Sequence, residues 1–128
     1  FLAHDPYISP VEAGALTVEL VSLEEVFAES DFVAVNCPLN EATRGMVDAR
    51  LISLMRPTAY LINTARGGII NQADLIDALQ AGRIAGAGLD VFESEPLPVD
   101  SPLIELDNVI LAPHALAWGS LFSNYNCT

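Results

Sequence analysis

The stretch TAYLINTARGGIINQADLIDALQAGRIAGAGLDVF, residues 58–92, places a helical pattern between two apolar segments. Both segments carry apolar residues in succession, as in strands of a parallel sheet that helices cover on both faces. Between them, Asn71 is a favourable helix N-cap and Gly82 a favourable end of the helix. The stretch therefore predicts a strand-helix-strand unit with parallel strands. The apolar stripe of its helix consists of Leu75, Ile76 and Leu79.

The same alternation continues on both sides of this unit. Apolar segments occur in DFVAVNCP, residues 31–38, and in NVILAPH, residues 108–114, while residues 1–5 resemble the end of one more strand. Ser22 and Glu25 have the spacing of a capping box, which begins a helix between these strands.

A third helical pattern lies in VDARLISLMRP, where Asp48 is the N-cap and Pro57 ends the helix. Together the patterns predict an α/β domain with one core, built on a doubly wound, Rossmann-like parallel sheet. The residues of this third helix that we expect to face the core are Leu51, Ile52, Leu54 and Met55.

Positive charge is scarce in this chain of 128 residues, which has 17 acidic and 5 basic residues and a formal net charge of -12. There is no lysine, which excludes Schiff-base catalysis and a phosphate-loop lysine. The acidity disfavours nucleic acids and anionic membranes, and no apolar run approaches the ~18 residues of a membrane span. We expect a cytoplasmic protein. The basic residues are Arg44, Arg50, Arg56, Arg66 and Arg83.

The two cysteines, Cys37 and Cys127, are far apart and form no CxxC spacing. This arrangement suggests neither a zinc site nor a disulfide framework. We therefore expect no metal site.

Ligands of open parallel sheets bind at the carboxyl ends of the strands. In this sequence those positions hold a set of polar and reactive residues. Two glycines follow the arginine of this set, and they permit unusual backbone angles or the close approach of another group. The set consists of Asp5, Cys37, Pro38, Thr64, Ala65, Arg66, Asp90, Glu95 and His114.

Each of these residues has a simpler interpretation when it is taken alone. Arg66 is compatible with an ordinary ion pair, and His114 with a hydrogen-bonded histidine at a strand end. Glu95 is compatible with a solvated loop position, Asp5 with a turn, and Cys37 with a small buried side chain. The functional hypothesis therefore depends on their convergence at one edge of the sheet.

An arginine, a histidine and a carboxylate at one edge favour proton transfer to or from an anionic substrate. Arginine binds a carboxylate through two parallel hydrogen bonds, and histidine serves as the acid or base. A neighbouring glutamate fixes the histidine tautomer. An acid at the end of an early strand, as at Asp5, is where a dinucleotide fold binds a ribose hydroxyl. Dehydrogenation of a hydroxy acid fits this set.

The ordered motifs LAHDPY, SDFVAVNCPLNEATRGMVD, NTARGGIINQADL, AGAGLDVFESEP and NVILAPHALAW resemble the D-isomer-specific 2-hydroxyacid dehydrogenases. This family includes phosphoglycerate, glycerate and D-lactate dehydrogenases, and the resemblance covers about residues 2–118. It implies that Arg66 binds the carboxylate and keto oxygen of the substrate. His114 would be the acid or base, and Glu95 its carboxylate partner.

The resemblance also implies a nicotinamide cofactor. Pro6 follows Asp5 where an NADP enzyme prefers a cation, so NAD is the expected form. Asp5 would hold the adenosine ribose, and Asp90 would face the nicotinamide ring. The residues implied to contact the cofactor are Asp5, Cys37, Pro38, Thr64, Ala65, Arg66, Asp90, His114 and Ala117.

The family's G-x-G-x-x-G turn does not occur in this sequence. We therefore expect residues 1–128 to be a partial NAD-binding domain, truncated at its N-terminal strand-helix unit and without the substrate domain. The parent protein would be a homodimer that acts on a small 2-hydroxy or 2-keto acid. Two alternatives remain open at this point: an NAD-sensing interaction module like the family's corepressor relatives, and an inactive truncated product.

Overall fold

The computed structural model describes residues 1–116, which form an α/β fold with two parallel sheets. Two short 3-10 helices span Gly67–Ile69 and Pro102–Glu105. The strands are β1 (Leu2–Ala3), β2 (Glu19–Leu20), β3 (Phe32–Val35), β4 (Tyr60–Asn63), β5 (Gly86–Leu89) and β6 (Val109–Leu111). The helices are α1 (Pro10–Ala15), α2 (Leu23–Glu29), α3 (Ala49–Ile52) and α4 (Gln72–Gln80).

The larger sheet has the strand order β3-β4-β5-β6, and every neighbouring pair is parallel. One row across this sheet joins Val35, Asn63, Leu89 and Leu111. Because parallel strands all end at the same edge, the loops that follow β3, β4, β5 and β6 emerge together. The predicted α/β fold class with a parallel sheet is confirmed.

The helices cover one face of the larger sheet. Buried residues of β3, β4 and β5 share a single apolar core with residues of α2, α3 and α4. The other face carries exposed apolar side chains: Phe32 is 69% and Ile110 77% exposed, and the rings of Phe32 and Tyr60 stack with centroids 5.5 Å apart. Within residues 1–116, no helix covers this second face.

The smaller sheet pairs β1 with β2 in parallel, and α1 connects the two strands. A capping box of Ser9 and Glu12 begins α1. The sequence prediction missed both α1 and β2. For α1 the reason is that it has no apolar stripe: Ala13 is its buried residue, whereas Val11 is 83% exposed. The strand β2 has only two residues, too few for a strand pattern.

The helix caps predicted from the sequence are confirmed. The side chains of Ser22, Asp48 and Asn71 each accept a hydrogen bond from the backbone N–H three residues later. Gly82 follows α4 with a φ of +62°, a left-handed conformation that glycine adopts without strain.

One part of the predicted core is wrong. Leu54 was expected to face inward, but it is 39% exposed. The helix α3 ends at Ile52, earlier than the apolar pattern indicates, so the helical period no longer sets the direction of Leu54. Leu51, Ile52 and Met55 are buried as expected.

Two carboxylates cap the helices of neighbouring segments. The backbone N–H of Ala49, at the start of α3, donates to Asp74 Oδ2 at 2.9 Å. In the same way, the backbone N–H of Gln72, at the start of α4, donates to Glu93 Oε1 at 3.0 Å. Each bond satisfies a helix N–H that has no partner within its own helix. Side chains distant in the sequence therefore add to the local caps, Asp48 and Asn71, at the starts of α3 and α4.

Substitution of Gly86 by alanine tests the packing of β5 against β6. A Cβ atom at Gly86 would lie 2.4 Å from the backbone oxygen of Asn108, which accepts a hydrogen bond from Ala87. We expect Gly86→Ala to destabilise the chain by about 1–3 kcal/mol. Gly14 in α1 is the matched control, because its Cβ would have no neighbour within 4 Å.

Gly14→Ala should leave the stability unchanged or raise it by about 0.5–1 kcal/mol, because alanine restricts the unfolded chain. Urea denaturation followed by circular dichroism measures both variants. Equal stability of the two alanine variants would contradict the described pairing of β5 with β6.

Candidate active site

Asn63, the last residue of β4, shapes the turn that carries Arg66. Its side chain is 1% exposed: Oδ1 accepts a hydrogen bond from the Ala65 N–H at 3.1 Å, and Nδ2 donates to the Arg66 carbonyl at 3.0 Å. The backbone oxygen of Asn63 accepts from the Asp90 N–H at 3.0 Å and ties this turn to β5. Sequence reasoning missed Asn63, although a polar residue at the end of an apolar strand was a visible signal.

The guanidinium group of Arg66 makes no ion pair with any other residue of the described range 1–116. Its NH1 donates to the carbonyl of Ala65 at 2.6 Å, and the side chain is exposed. Arg50 and Arg56, by contrast, pair with acidic residues. The described residues therefore do not support the simpler interpretation of Arg66 as an ion-pair partner.

Gly67 brings the Arg66 turn into contact with the loop that follows β5. A Cβ atom at this position would lie 1.9 Å from the backbone carbonyl carbon of Phe92 and 2.6 Å from the nitrogen of Glu93. Such distances are far below a van der Waals contact, so only glycine fits. The backbones of the two segments therefore touch directly.

His114 and Glu95 form the closest pair of ionisable groups at this edge. His114 Nδ1 donates to Glu95 Oε2 at 2.8 Å, and the Phe92 backbone N–H donates to Glu95 Oε1 at 3.0 Å. The hydrogen bond from His114 and then the one from Phe92 hold the pKa of the Glu95 carboxyl below its ordinary value, with a smaller electrostatic contribution from Arg66. Both oxygens of Glu95 are thus oriented.

Asp90 fixes the backbone that follows His114. Its carboxylate is 3% exposed and accepts hydrogen bonds from the N–H groups of Ala115 at 2.8 Å and Leu116 at 3.2 Å. His114 itself has a φ of +56°, a left-handed conformation that costs a non-glycine residue about 1–3 kcal/mol. The two bonds to Asp90 help to offset this cost and to set the direction of the imidazole.

Two cavities lie at the carboxyl edge of the larger sheet. The crevice, as we call the first, has a volume of about 660 Å³ and lies beside the Arg66 turn. The second has a volume of about 370 Å³ and lies beside the pair of His114 and Glu95. The crevice is lined by Asn36, Cys37, Pro38, Leu39, Ala65 and Arg66. The second cavity is lined by Phe92, Glu95, Pro96, Leu97, Leu111, Ala112, Pro113 and His114.

The structure thus brings most of the predicted site residues to one edge. Cys37, Pro38, Ala65 and Arg66 line the crevice, whereas Thr64 is exposed and lines neither cavity. The functional roles assigned to these residues stay predictions.

Asp5 and Asp90, two more of the predicted cofactor residues, do not line the crevice. Asp5 lies just after β1, and its Oδ1 accepts the Tyr7 N–H at 2.8 Å, as in the turn interpretation. Asp90 is directed to the backbone after His114, as described above. Ala117 lies outside the described residues.

Cys37 is half-buried, and burial raises the pKa of its thiol. Near neutral pH the group is therefore a neutral thiol with low reactivity. Among residues 1–116, no cluster of three or more His, Cys, Asp or Glu side chains could hold a metal ion. None of the helices in this range has the length and apolar character needed to cross a membrane.

Comparison with known proteins identifies the family. Residues 1–115 match the family described as the D-isomer specific 2-hydroxyacid dehydrogenase, NAD binding domain. The chain belongs to this family. Because the match extends from the smaller sheet through His114, it includes every strand and helix described above.

Individual relatives agree with this assignment. The chain is 53% identical to a glyoxylate reductase of Korarchaeum cryptofilum over 100 residues, which are 78% of this chain and 30% of the relative. It is 42% identical to a D-3-phosphoglycerate dehydrogenase of Mycobacterium bovis over 113 residues, 88% of this chain and 21% of the relative. The chain therefore spans less than a third of the length of either enzyme.

A solved structure shows the same fold. The NAD-complexed form of a D-isomer specific 2-hydroxyacid dehydrogenase from Lactobacillus delbrueckii ssp. bulgaricus matches with a TM-score of 0.78 and 32% identity. The match covers 88% of this chain and 38% of that one. The Rossmann-like fold predicted from the sequence is thus confirmed, as is membership of an NAD-binding domain family.

The lowered pKa of Glu95 predicts how stability depends on pH. A carboxyl whose pKa is lower in the folded state stabilises that state above its unfolded pKa of about 4.3, and this contribution disappears as the pH falls through the folded value. We expect Glu95→Gln to be less stable than the unmodified chain at pH values above about 5, and the difference to shrink below about pH 4.

Urea denaturation across this pH range measures the effect. Glu105→Gln is the control, since Glu105 is exposed and makes no side-chain hydrogen bond among residues 1–116. A difference for Glu95→Gln that stayed constant with pH would show that Glu95 is not held as described.

Proposed function

We propose that this chain is the cofactor-binding part of an enzyme that interconverts a 2-hydroxy acid and a 2-keto acid by NAD-dependent hydride transfer. The observation that supports this most strongly is the 2.8 Å hydrogen bond between His114 and Glu95 at the same sheet edge as Arg66. An oriented imidazole beside a cation without an ion-pair partner is what proton transfer to an anionic substrate requires.

Arg66 is the proposed anchor for the substrate. Its guanidinium group donates in a planar fork that matches a carboxylate, and one of its nitrogens is already directed by the Ala65 carbonyl. A 2-keto acid presents a carboxylate and an adjacent carbonyl oxygen, so one arginine can contact both. In a chain with a net charge of -12, this local cation offsets the general repulsion of an anion.

His114 is the proposed acid or base. Because Nδ1 donates to Glu95, the other ring nitrogen, Nε2, remains for a substrate oxygen. In the direction of reduction, protonated His114 donates its Nε2 proton to the keto oxygen. In the direction of oxidation, neutral His114 accepts the hydroxyl proton, and the Glu95 carboxylate stabilises the imidazolium that forms.

NAD supplies the hydride acceptor or donor when it is bound. The residues around the crevice fit part of this cofactor, because the crevice opens at the carboxyl edge and is lined by apolar Pro38, Leu39 and Ala65 beside Arg66. Asp5 uses one oxygen for the Tyr7 N–H, which leaves Oδ2 for a ribose hydroxyl. The sequence contains no G-x-G-x-x-G turn for the pyrophosphate, so we expect weak binding by this chain alone.

For the parent protein we propose a second, substrate-binding domain, a homodimer and a cytoplasmic location. The chain covers 21% to 30% of the relatives described above, and the second face of the larger sheet exposes apolar side chains. Parallel sheets are normally covered on both faces. This supports residues 1–128 as a partial domain.

Protection of Cys37 by NAD tests the proposed cofactor site. Because Cys37 lines the crevice, bound NAD should slow its alkylation by iodoacetamide, measured by mass spectrometry at alkaline pH where the thiol ionises. Cys127 in the same chain provides an internal reference. Equal alkylation of Cys37 with and without millimolar NAD would count against the crevice as the cofactor site.

Replacement of Arg66 tests the substrate site in the full-length parent enzyme. We expect Arg66→Ala to lower kcat/KM by about 10²–10³-fold, the usual cost of losing one group that stabilises developing charge. The Kd for NAD should change much less than kcat/KM, because the other residues that line the crevice remain. Arg50→Ala is the matched control, because Arg50 pairs with Glu24 on the helical surface. Turnover that survived Arg66→Ala would show that the assigned role is wrong.

A further inference from the structure

Gln72 and Glu93 bind each other through two reciprocal hydrogen bonds. The Gln72 backbone N–H donates to Glu93 Oε1 at 3.0 Å, and the Glu93 backbone N–H donates to Gln72 Oε1 at 3.2 Å. The two residues are 21 positions apart in the sequence. We refer to this pair of bonds as the Gln72/Glu93 clasp.

The clasp joins the segment of Arg66 to the loop of Glu95. On one side, Gln72 begins α4, three residues after the end of the short helix Gly67–Ile69. On the other side, Glu93 lies two residues before Glu95 and next to Phe92, whose N–H orients the Glu95 carboxylate. The clasp therefore lies only one residue from the N–H of Phe92 and two residues from Glu95 itself.

The contact at Gly67 limits how closely the two segments approach, but it does not hold them together. No hydrogen bond joins Gly67 to Phe92 among the described residues. The Glu93 N–H bond to Gln72 joins the two segments one residue away from this contact. The contact, the clasp and the Asp90 N–H bond to the Asn63 carbonyl together limit the distance between the Arg66 turn and the Glu95 loop.

We propose that Gln72 and Glu93 are positioning residues for the acid-base pair of His114 and Glu95. The clasp holds the loop so that Phe92 and His114 both reach the Glu95 carboxylate, and this keeps the His114 proton on Nδ1. The inference rests on the proposed function, in which Nε2 of His114 faces the substrate. Within residues 1–116, Gln72 and Glu93 make no hydrogen bond to His114 and line neither of the two cavities.

Asp74 is the matched control for a purely structural role of the clasp, in which Glu93 would do no more than cap a helix. Glu93 caps the start of α4, and Asp74 caps the start of α3 in the same way, with its Oδ2 2.9 Å from the Ala49 nitrogen. Asp74 makes no side-chain bond to the loop of Glu95. Loss of Asp74 therefore removes a helix cap without removing the clasp.

Gln72→Ala separates the clasp from the helix cap. The variant loses the acceptor for the Glu93 N–H, while its own backbone N–H can still donate to Glu93 and cap α4. Glu93→Gln is the conservative variant, because a glutamine oxygen can accept from the Gln72 N–H as the carboxylate does. Either variant keeps the apolar core unchanged, since neither residue belongs to it.

The experiment is ¹⁵N NMR of the histidine side chains in the 128-residue chain, which contains two histidines. In the unmodified chain, the neutral His114 ring should carry its proton on Nδ1. We refer to the ¹⁵N chemical shifts of a ring protonated on Nδ1 as the Nδ1 signature. We expect Gln72→Ala to move the His114 ¹⁵N chemical shifts to those of a free imidazole, whereas Glu93→Gln should retain the Nδ1 signature. His4, whose Nδ1 lies 3.2 Å from the Val21 carbonyl, is the internal reference and should not change.

Asp74→Ala should lower the unfolding temperature and leave the His114 signature unchanged. An unchanged His114 signature in Gln72→Ala, or an equal change in Asp74→Ala, would overturn the positioning role while leaving the proposed function intact. If the unmodified chain lacked the Nδ1 signature, the hydrogen bond between His114 and Glu95 would not exist as described, and both proposals would fail.

Discussion

The parallel pairing of β4 with β5 is the constraint on which the candidate site depends. This pairing sets Asn63 opposite Leu89, so that both strands leave the sheet at the same level, and the Asp90 N–H donates to the Asn63 carbonyl just beyond it. Arg66 follows the first exit and Glu95 the second. A shift of the register by one residue would turn alternate side chains to the opposite face and separate the two segments.

The candidate site is held mainly by hydrogen bonds between side chains and backbone groups. Asn63 satisfies two backbone groups of the Arg66 turn, Asp90 binds two N–H groups after His114, and the Phe92 N–H orients Glu95. Such bonds constrain direction more than they add stability, because each replaces a bond to water. The guanidinium group of Arg66, by contrast, makes no ion pair among residues 1–116 and donates to the neighbouring Ala65 carbonyl.

Most elements of the larger sheet could be predicted because their signals are local. The caps at Ser22, Asp48 and Asn71 each involve residues three positions apart, and the apolar segments mark buried strands directly. The prediction failed where the local signal was absent or misleading. The helix α1 buries little apolar surface, and α3 is shorter than its apolar pattern, so Leu54 was assigned to the core incorrectly.

The sequence by itself determined the α/β alternation, the helix caps and the set of reactive residues at the strand ends, because these depend on neighbours within about one helical turn. The tertiary structure decided which of those residues meet. His114 and Glu95 are 19 positions apart, and the clasp joins residues 21 apart. Such contacts depend on how loops from different strands pack at one edge, and residue type and spacing alone do not specify that packing.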